Sequence, residues 1–98
     1  MQIRVQKSMR RDKKLMAIID QHQIHFGAVG YEDFTTHKDA ARKAQYLARH
    51  RPTEVWTLAG IKSAGFWSRW LLWGEPTLRA SVSALNTRYP AIHVTLRG

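Results

Sequence analysis

The first third of the chain spaces its apolar residues with the period of β-strands. Residues 2–8 place Ile3 and Val5 on one side and Arg4 and Gln6 on the other, which predicts a strand. Residues 15–19 are a continuous apolar run, typical of a central strand, and residues 24–26 form a third short segment. Polar turns separate the three, so we expect an antiparallel meander, with residues 91–96 as a candidate fourth strand.

The middle of the chain changes to the helical period. Over residues 38–50 the apolar positions recur every three to four residues, which predicts an amphipathic helix. Thr36 stands at the N-cap position, and Asp39 follows three residues later in the place of the usual capping Glu. The residues predicted to pack on the sheet are Ala40, Ala44, Leu47 and Ala48.

Two further helical segments are predicted downstream. Pro52 suits an early helical position, so residues 52–58 are interpreted as one short turn. Pro76 begins the other segment, in which Leu78, Val82 and Leu85 form an apolar face. The pattern as a whole predicts one small α+β domain over residues 1–98, with an antiparallel sheet of three to four strands packed against about three helices.

Residues 65–74 are the most strongly apolar part of the chain and contain three of its four tryptophans. In a helix Phe66, Trp70 and Trp73 lie on one face. One interpretation is a core helix, and the other is an aromatic surface for a partner or for nucleobases, because Trp is frequent in binding hot spots. The run is too short to span a membrane, which takes about 20 apolar residues.

The positive net charge of the chain indicates a polyanionic partner. Sixteen Lys and Arg against seven Asp and Glu give a formal net charge of +9, and such a field attracts nucleic acid first and anionic membrane surfaces second. The basic residues concentrate in the turn at residues 10–14 and in the helix at residues 38–51. The candidate nucleic-acid contacts are Arg10, Arg11, Lys13, Lys14, Lys38, Arg42, Lys43, Arg49 and Arg51.

Protein contact is the alternative function for the aromatic run. Its candidate residues are Trp67, Arg69, Trp70 and Trp73. Stacking on nucleobases normally uses aromatic rings that lie among cations, and this run offers Arg69 alone. We therefore interpret the tryptophans as core residues that hold the basic elements in place, and protein association as their function if they are exposed.

Catalytic and metal-binding patterns are weak. The chain has no cysteine, which removes thiolate chemistry and cysteine-based zinc sites. Gly27 and Gly30 indicate a sharp turn with positive φ, but no phosphate-loop motif follows them. His37 and Asp39, two residues apart, do not share a helical face, and His50 lies more than three turns further on, so we expect no single metal ion to bridge the three. We expect no cofactor, no metal and no enzymatic activity, with a metal-dependent nucleic-acid hydrolase as the third hypothesis.

One ordered set of residues extends over roughly residues 15–85. It comprises segments 25–28, 30–31, 33–35, 37–39, 64–73 and 76–78 with Arg42, Tyr46, Arg49, His50, Trp56 and Ser81. This set resembles a family of small uncharacterised proteins encoded by large double-stranded DNA viruses of algae and other protists. Gly74-Glu75 replaces a frequent Asn-Lys, and Val29 replaces a frequent Lys, so both departures lower the positive charge. The resemblance implies a viral source and no particular activity.

The leading hypothesis is a non-enzymatic, basic module that binds nucleic acid through the Lys/Arg helix face and is associated with the virion. The alternative is a structural or assembly protein, a capsid-associated adaptor that contacts a viral structural protein and itself. The N-terminus lacks the apolar segment of a secretory signal, so we expect location in the infected host cell or the virion. The choice between DNA and RNA, sequence specificity, oligomeric state and any role of His25, His37 and His50 stay open.

Overall fold

The computed structural model describes residues 1–97, which form one α+β domain, as predicted. Four strands, β1 (Gln2–Lys7), β2 (Lys13–Ile19), β3 (His22–Ala28) and β4 (His93–Leu96), make a single sheet. The helices are α1 (Phe34–His37), α2 (Ala40–His50), α3 (Ala64–Trp67) and α4 (Leu78–Arg88). A π-helical segment (Ser68–Leu72) continues α3 directly, and 3₁₀ turns occur at Arg51–Thr53 and Leu58–Gly60.

The sheet has the order β3-β2-β1-β4. The meander is confirmed, since β1 pairs with β2 and β2 with β3 in antiparallel register. The fourth strand differs in direction, because β4 pairs with β1 in parallel, with Ile3 opposite Val94. A parallel pair requires a long crossover connection, and the helical region between β3 and β4 supplies it. Alternation along residues 91–96 carries no information about strand direction.

The core lies between one face of the sheet and the helical layer of α3, the π-helical segment and α4. Alternate strand residues supply one side, among them Val5, Ala17 and Phe26, which are all fully buried. Phe66, Trp67, Leu71 and Leu85 supply the other side. Phe26 and Trp67 meet at a ring-centroid distance of 6.3 Å. The core interpretation of the aromatic run is therefore right for Trp67.

The first helical region begins earlier than predicted and consists of two helices. Asp33, rather than Thr36, is the N-cap of α1, because its side chain accepts from the Thr35 N–H at 2.9 Å. Thr36 returns the bond by accepting from the Asp33 N–H. Lys38 then adopts a left-handed φ of 56° and ends α1. Asp39 starts α2 as its N-cap, so Lys38 does not belong to the longer helix.

The predicted alanine stripe of α2 was wrong. Ala40, Ala44 and Ala48 are exposed, and Tyr46 is the buried residue of this helix. Tyr46 stacks on Trp73 with a centroid distance of 4.2 Å and an interplanar angle of 5°. Two large rings in contact bury more apolar area than small alanines can. Through this contact α2 packs on the aromatic run at residues 65–74.

The segment after α2 is less helical than predicted. Pro52 lies in the 3₁₀ turn Arg51–Thr53, and residues 54–57 that follow are not helical. After the second 3₁₀ turn, the Ser63 side chain caps α3 by accepting from the Phe66 N–H. The last helix, α4, is capped by Thr77, one residue after Pro76. Its buried residues include Val82 and Leu85, as the sequence predicts.

Candidate nucleic-acid interface

A groove of about 660 Å³ separates the open end of the β2–β3 hairpin from α2. Its size falls within the range of about 300–1,000 Å³ that is common for ligand-binding clefts. One wall carries Lys13, Lys14 and residues 26–28, the opposite wall carries one face of α2, and Leu72 and Trp73 lie below. The two basic segments that the sequence presents separately, residues 10–14 and 38–51, thus line one cavity.

The α2 wall presents two arginines in a row. Arg42 and Arg49 are seven residues apart, close to two helical turns, so both project from the same face of α2. Both are exposed. Arg42 lies 3.7 Å from the Glu32 carboxylate, and an exposed pair of this kind contributes only about 0–1 kcal/mol. Glu32 thus forms an ion pair with α2 that leaves Arg42 exposed.

The hairpin wall is held by a buried ion pair. The Lys14 ammonium lies 2.7 Å from the Asp33 carboxylate and also donates to the Tyr31 carbonyl. Asp33 is only 2% exposed, so this pair fixes the loop before α1 onto β2. Asp33 therefore pairs with β2 and not with the basic helix. Lys13, next in the chain, lines the groove with no Asp or Glu partner in residues 1–97.

The loop leading to α1 carries an exposed aromatic ring at the rim of the groove. Tyr31 is 75% exposed and lines the groove together with Lys13 and Arg42. Gly27 and Gly30, with φ of 79° and 94°, shape this loop as predicted. Sequence reasoning missed Tyr31 as a site residue, although an aromatic residue beside a glycine turn was available as a signal.

A column of stacked rings supports the α2 wall. His50 stacks on Tyr46 at 4.1 Å, Tyr46 on Trp73 at 4.2 Å, and Trp73 contacts His37 at 5.3 Å. Burial, and to a smaller extent the neighbouring Glu54 carboxylate, raise the pKa of the Tyr46 phenol. The column fixes the position of α2 beside the groove. His37 and His50 contribute packing contacts to it.

Glu54 connects the groove to the rest of the aromatic region. Its carboxylate accepts from the Trp56 indole N–H at 2.9 Å and lies 3.1 Å from the His50 ring. Gly65 packs directly against it, since a Cβ at that position would lie 2.7 Å from the Glu54 carboxyl carbon. Glu54 thus lines the groove with its carboxylate held by internal contacts.

A second basic region, the Arg–Trp cluster, lies outside the groove. Arg69 is 4.2 Å from the Trp70 ring centroid and 5.3 Å from that of Trp56. Arg88 is 4.6 Å from Trp70 on the same measure, and Arg51 is 5.9 Å from Trp56. Desolvation first, and then the nearby Arg88, lower the pKa of the Arg69 guanidinium. The cluster comprises Arg51, Trp56, Arg69, Trp70, Arg88 and Tyr89.

The tryptophans of the aromatic run differ in their exposure and in the charges beside them. Trp70 and Trp73 are partly exposed, whereas Trp67 is fully buried and is removed from the protein-contact hypothesis. The run at residues 65–74 contains one arginine, but the fold brings Arg88 from α4 to its Trp70 ring. Arg69 also lies over Trp56, where Arg51 joins it. The local spacing of the sequence does not indicate this convergence, because Arg88 is 18 residues from Trp70 and Arg69 is 13 residues from Trp56.

The remaining predicted contacts are dispersed. Arg10 forms an exposed ion pair with Asp12 at 2.8 Å, and it lowers the pKa of that carboxyl. Arg11 is exposed in the same turn, and Lys38 donates to the Thr35 carbonyl at 2.8 Å. Lys43 points inward and donates to the Gly74 carbonyl at 2.6 Å. The groove therefore gathers Lys13, Lys14, Arg42 and Arg49 but excludes these four residues.

The free cations are nevertheless numerous. Of the sixteen Lys and Arg, only Arg10, Lys14 and Arg42 form ion pairs with Asp or Glu within residues 1–97. Sixteen minus three leaves thirteen without such a partner in that part of the chain. Most of the positive field is consequently available to an external anion.

The histidines do not form a metal site in the described part of the chain. His25 and His93 lie on β3 and β4, the two outer strands, so they cannot face each other. The His25 ring forms a hydrogen bond with Ser8, with 2.7 Å between His25 Nδ1 and Ser8 Oγ. Among residues 1–97, no three His, Asp or Glu side chains converge closely enough to hold a metal ion.

No helix within residues 1–97 has the length and apolar character to cross a membrane.

Comparison with known proteins gives one family match. Residues 3–50 are similar to a family of unknown function, DUF5754. The matched region comprises the β-meander, α1 and α2, and therefore both walls of the groove. No curated protein matches the chain. No solved structure matches it either.

Proposed function

We propose that the protein binds single-stranded nucleic acid in the groove between the β2–β3 hairpin and α2. The observation that carries the proposal is the convergence of cations from two distant segments, Lys13 on one wall and Arg42 and Arg49 on the other, around one cavity. Cations on both sides of a groove can follow a phosphodiester backbone.

Tyr31 favours a single strand over a duplex. An exposed ring among cations is the arrangement on which unpaired bases stack, and every base has a face that can do so. In a duplex the bases are already stacked on one another and are not free to cover Tyr31. We therefore infer weak sequence selectivity, with affinity set mainly by phosphates and by one stacked base.

The alternative function in assembly has less support from the structure. Trp67 is inaccessible, and Trp73 is covered on one side by Tyr46. Trp70 is half-buried, and two arginines, Arg69 and Arg88, lie over its ring. A viral source and a location in the infected cell or virion are parts of the same proposal and rest on the sequence resemblance.

Affinity for a labelled single-stranded oligonucleotide, measured by fluorescence anisotropy, tests the proposal. Tyr31→Ala is expected to lose about 1–3 kcal/mol of binding free energy, the contribution of one base–aromatic stack. Arg79→Ala is the matched control, since Arg79 is exposed on α4 and does not line the groove. Equal affinity of the wild type and Tyr31→Ala, or tighter binding of a duplex of the same length, would contradict the proposal.

A further inference from the structure

A second cavity, of about 200 Å³, lies between the inner side of α2, the end of the π-helical segment and α4. None of its lining residues lines the groove. Its lining includes Lys43 and Glu75 together with three members of the Arg–Trp cluster, Arg69, Trp70 and Arg88. Apart from Lys43, these residues lie beyond the region that the family match covers.

Three cations and one carboxylate line this small space, which leaves a formal charge of +2. Lys43, Arg69 and Arg88 form no ion pair with Asp or Glu within residues 1–97. Burial first, and then the neighbouring Arg69, lower the pKa of Lys43, and burial followed by Arg88 lowers the pKa of Arg69. Unpaired cations held this close destabilise the empty protein and favour a bound anion.

The cations are held in place by contacts that leave donors free. The Lys43 ammonium uses one N–H on the Gly74 carbonyl. Arg69 donates from one terminal nitrogen to the Trp73 carbonyl at 3.1 Å, while its Nε is buried without a partner among the described residues. An unpaired buried N–H is costly. Arg88 lies over Trp70 and makes no side-chain hydrogen bond to the described residues.

We propose that this cavity is a binding site for a terminal phosphate monoester or for inorganic phosphate. Such a group carries about two negative charges near neutral pH and three acceptor oxygens, which match the charge of the cavity and its free donors. Guanidinium groups offer paired N–H donors to phosphate, and an ammonium adds a point charge. The phosphate is either the end of a nucleic-acid strand or a free phosphate, and both present the same chemistry to Lys43, Arg69 and Arg88.

The site is independent of the groove and is tested separately. Tryptophan fluorescence of the whole protein is followed during titration with inorganic phosphate, because Trp70 reports on Arg69 and Arg88. A saturable change with one equivalent bound is expected. Arg88→Met is expected to weaken binding at least tenfold, whereas Arg79→Met on the same helix leaves it unchanged.

Glu75→Gln provides a variant with the opposite effect. Glu75 is exposed and, among residues 1–97, is the only carboxylate that lines the cavity, so its neutralisation is expected to tighten phosphate binding several-fold in a folded protein. The proposal is overturned if phosphate gives no saturable signal. It is also overturned if Arg79→Met weakens binding as much as Arg88→Met, or if Glu75→Gln changes nothing.

The source of the phosphate is distinguished with two oligonucleotides of one sequence, with and without a 5′-phosphate. A preference for the phosphorylated strand that Arg88→Met abolishes supports a strand end as the ligand. Equal binding of both strands, together with saturable inorganic phosphate, supports a free phosphate. Either result stands if the groove proves inactive, since Arg42 and Arg49 do not line this cavity.

Discussion

At the scale of single residues, two glycines show what the turn before α1 requires. Gly27 and Gly30 both have positive φ, but their surroundings differ. A Cβ at Gly27 would lie 2.6 Å from the Leu72 side chain, whereas a Cβ at Gly30 would have no neighbour within 4 Å. Gly27 is therefore required by both conformation and packing, and Gly30 by conformation alone.

Alanine at each glycine separates the two costs. Gly30→Ala is expected to destabilise the fold by about 1–2 kcal/mol, the cost of a left-handed conformation for a residue with a Cβ. Gly27→Ala is expected to cost about 1–3 kcal/mol more, because the added methyl group overpacks the contact with Leu72. Denaturant unfolding measures both. Equal costs would show that Leu72 moves aside freely.

Tyr46 predicts an effect of alkaline pH on stability. The pKa of its phenol is raised in the folded protein above the ordinary value of about 10. The unfolded chain therefore loses this proton first, and stability falls as the pH rises above about 10. Tyr46→Phe keeps the ring stacked on Trp73 and removes the ionising group, so its alkaline loss of stability should be smaller.

Lys43 contributes with the opposite sign in that range. Its pKa is lowered by burial, so the unfolded chain binds more protons there and stability rises with pH. Because Lys43 is present in both proteins, the difference between the wild type and Tyr46→Phe isolates the tyrosine. Unfolding free energies measured from pH 8 to 11 check this, and parallel pH profiles of the two proteins would contradict it.

At the scale of elements, the two successive caps of the first helical region are unequal. Asp39 caps α2 at an exposed position by accepting from the Ala41 N–H at 2.9 Å. Asp33 caps α1, is buried, and also receives the Lys14 ammonium. Both helices have an aspartate N-cap, but only Asp33 ties its helix to the sheet.

Replacing each aspartate by alanine tests this difference. Asp39→Ala is expected to cost about 1 kcal/mol, a typical value for an exposed N-cap. Asp33→Ala should cost more, because it also leaves the partly buried Lys14 ammonium without its carboxylate. Thermal or denaturant unfolding gives both values. If Asp39→Ala were the more damaging change, the ion pair would have no role in holding the loop.

Most element types and the antiparallel meander were predictable from the sequence, whereas relations between distant elements were not. Alternation at Ile3 and Val5 marks a strand, and the spacing of Val82 and Leu85 marks a helix face, because both signals are local. The parallel direction of β4 depends on the path of the whole helical layer. The choice of Tyr46 over the alanines as the buried residue of α2 depends on Trp73, which is distant in the chain.

For the candidate site, too, local features could be predicted from the sequence and distant contacts could not. The basic character of residues 10–14 and 38–51 could be read from composition, and Arg42 and Arg49 were identified. Their position with Lys13 around one groove could not be predicted, because it depends on how α2 packs on the aromatic run. Lys43 was wrongly grouped with the exposed cations, since the face of α2 that points inward is decided by Tyr46.

At the scale of the whole molecule, the positive charge is distributed between two regions with different chemistry. The groove offers spaced, exposed cations and the Tyr31 ring, which suits a flexible chain of phosphates. The smaller cavity offers Lys43 and the guanidinium groups of Arg69 and Arg88, which both lie over the Trp70 ring, and this set suits one compact dianion. A net charge of +9 accounts for attraction to polyanions in general, while the placement of the cations determines which anion is held.

The dependence of nucleic-acid affinity on salt tests the central claim most directly. Each phosphate contact to a single strand contributes about 0.7 to the slope of log K against log salt concentration. The double variant Arg42→Ala/Arg49→Ala should lower that slope by about 1.4, while the control Arg4→Ala/Arg79→Ala, which changes two exposed arginines that line neither cavity, should preserve it. An unchanged slope in the groove variant, or an equal decrease in the control, would contradict binding in the groove.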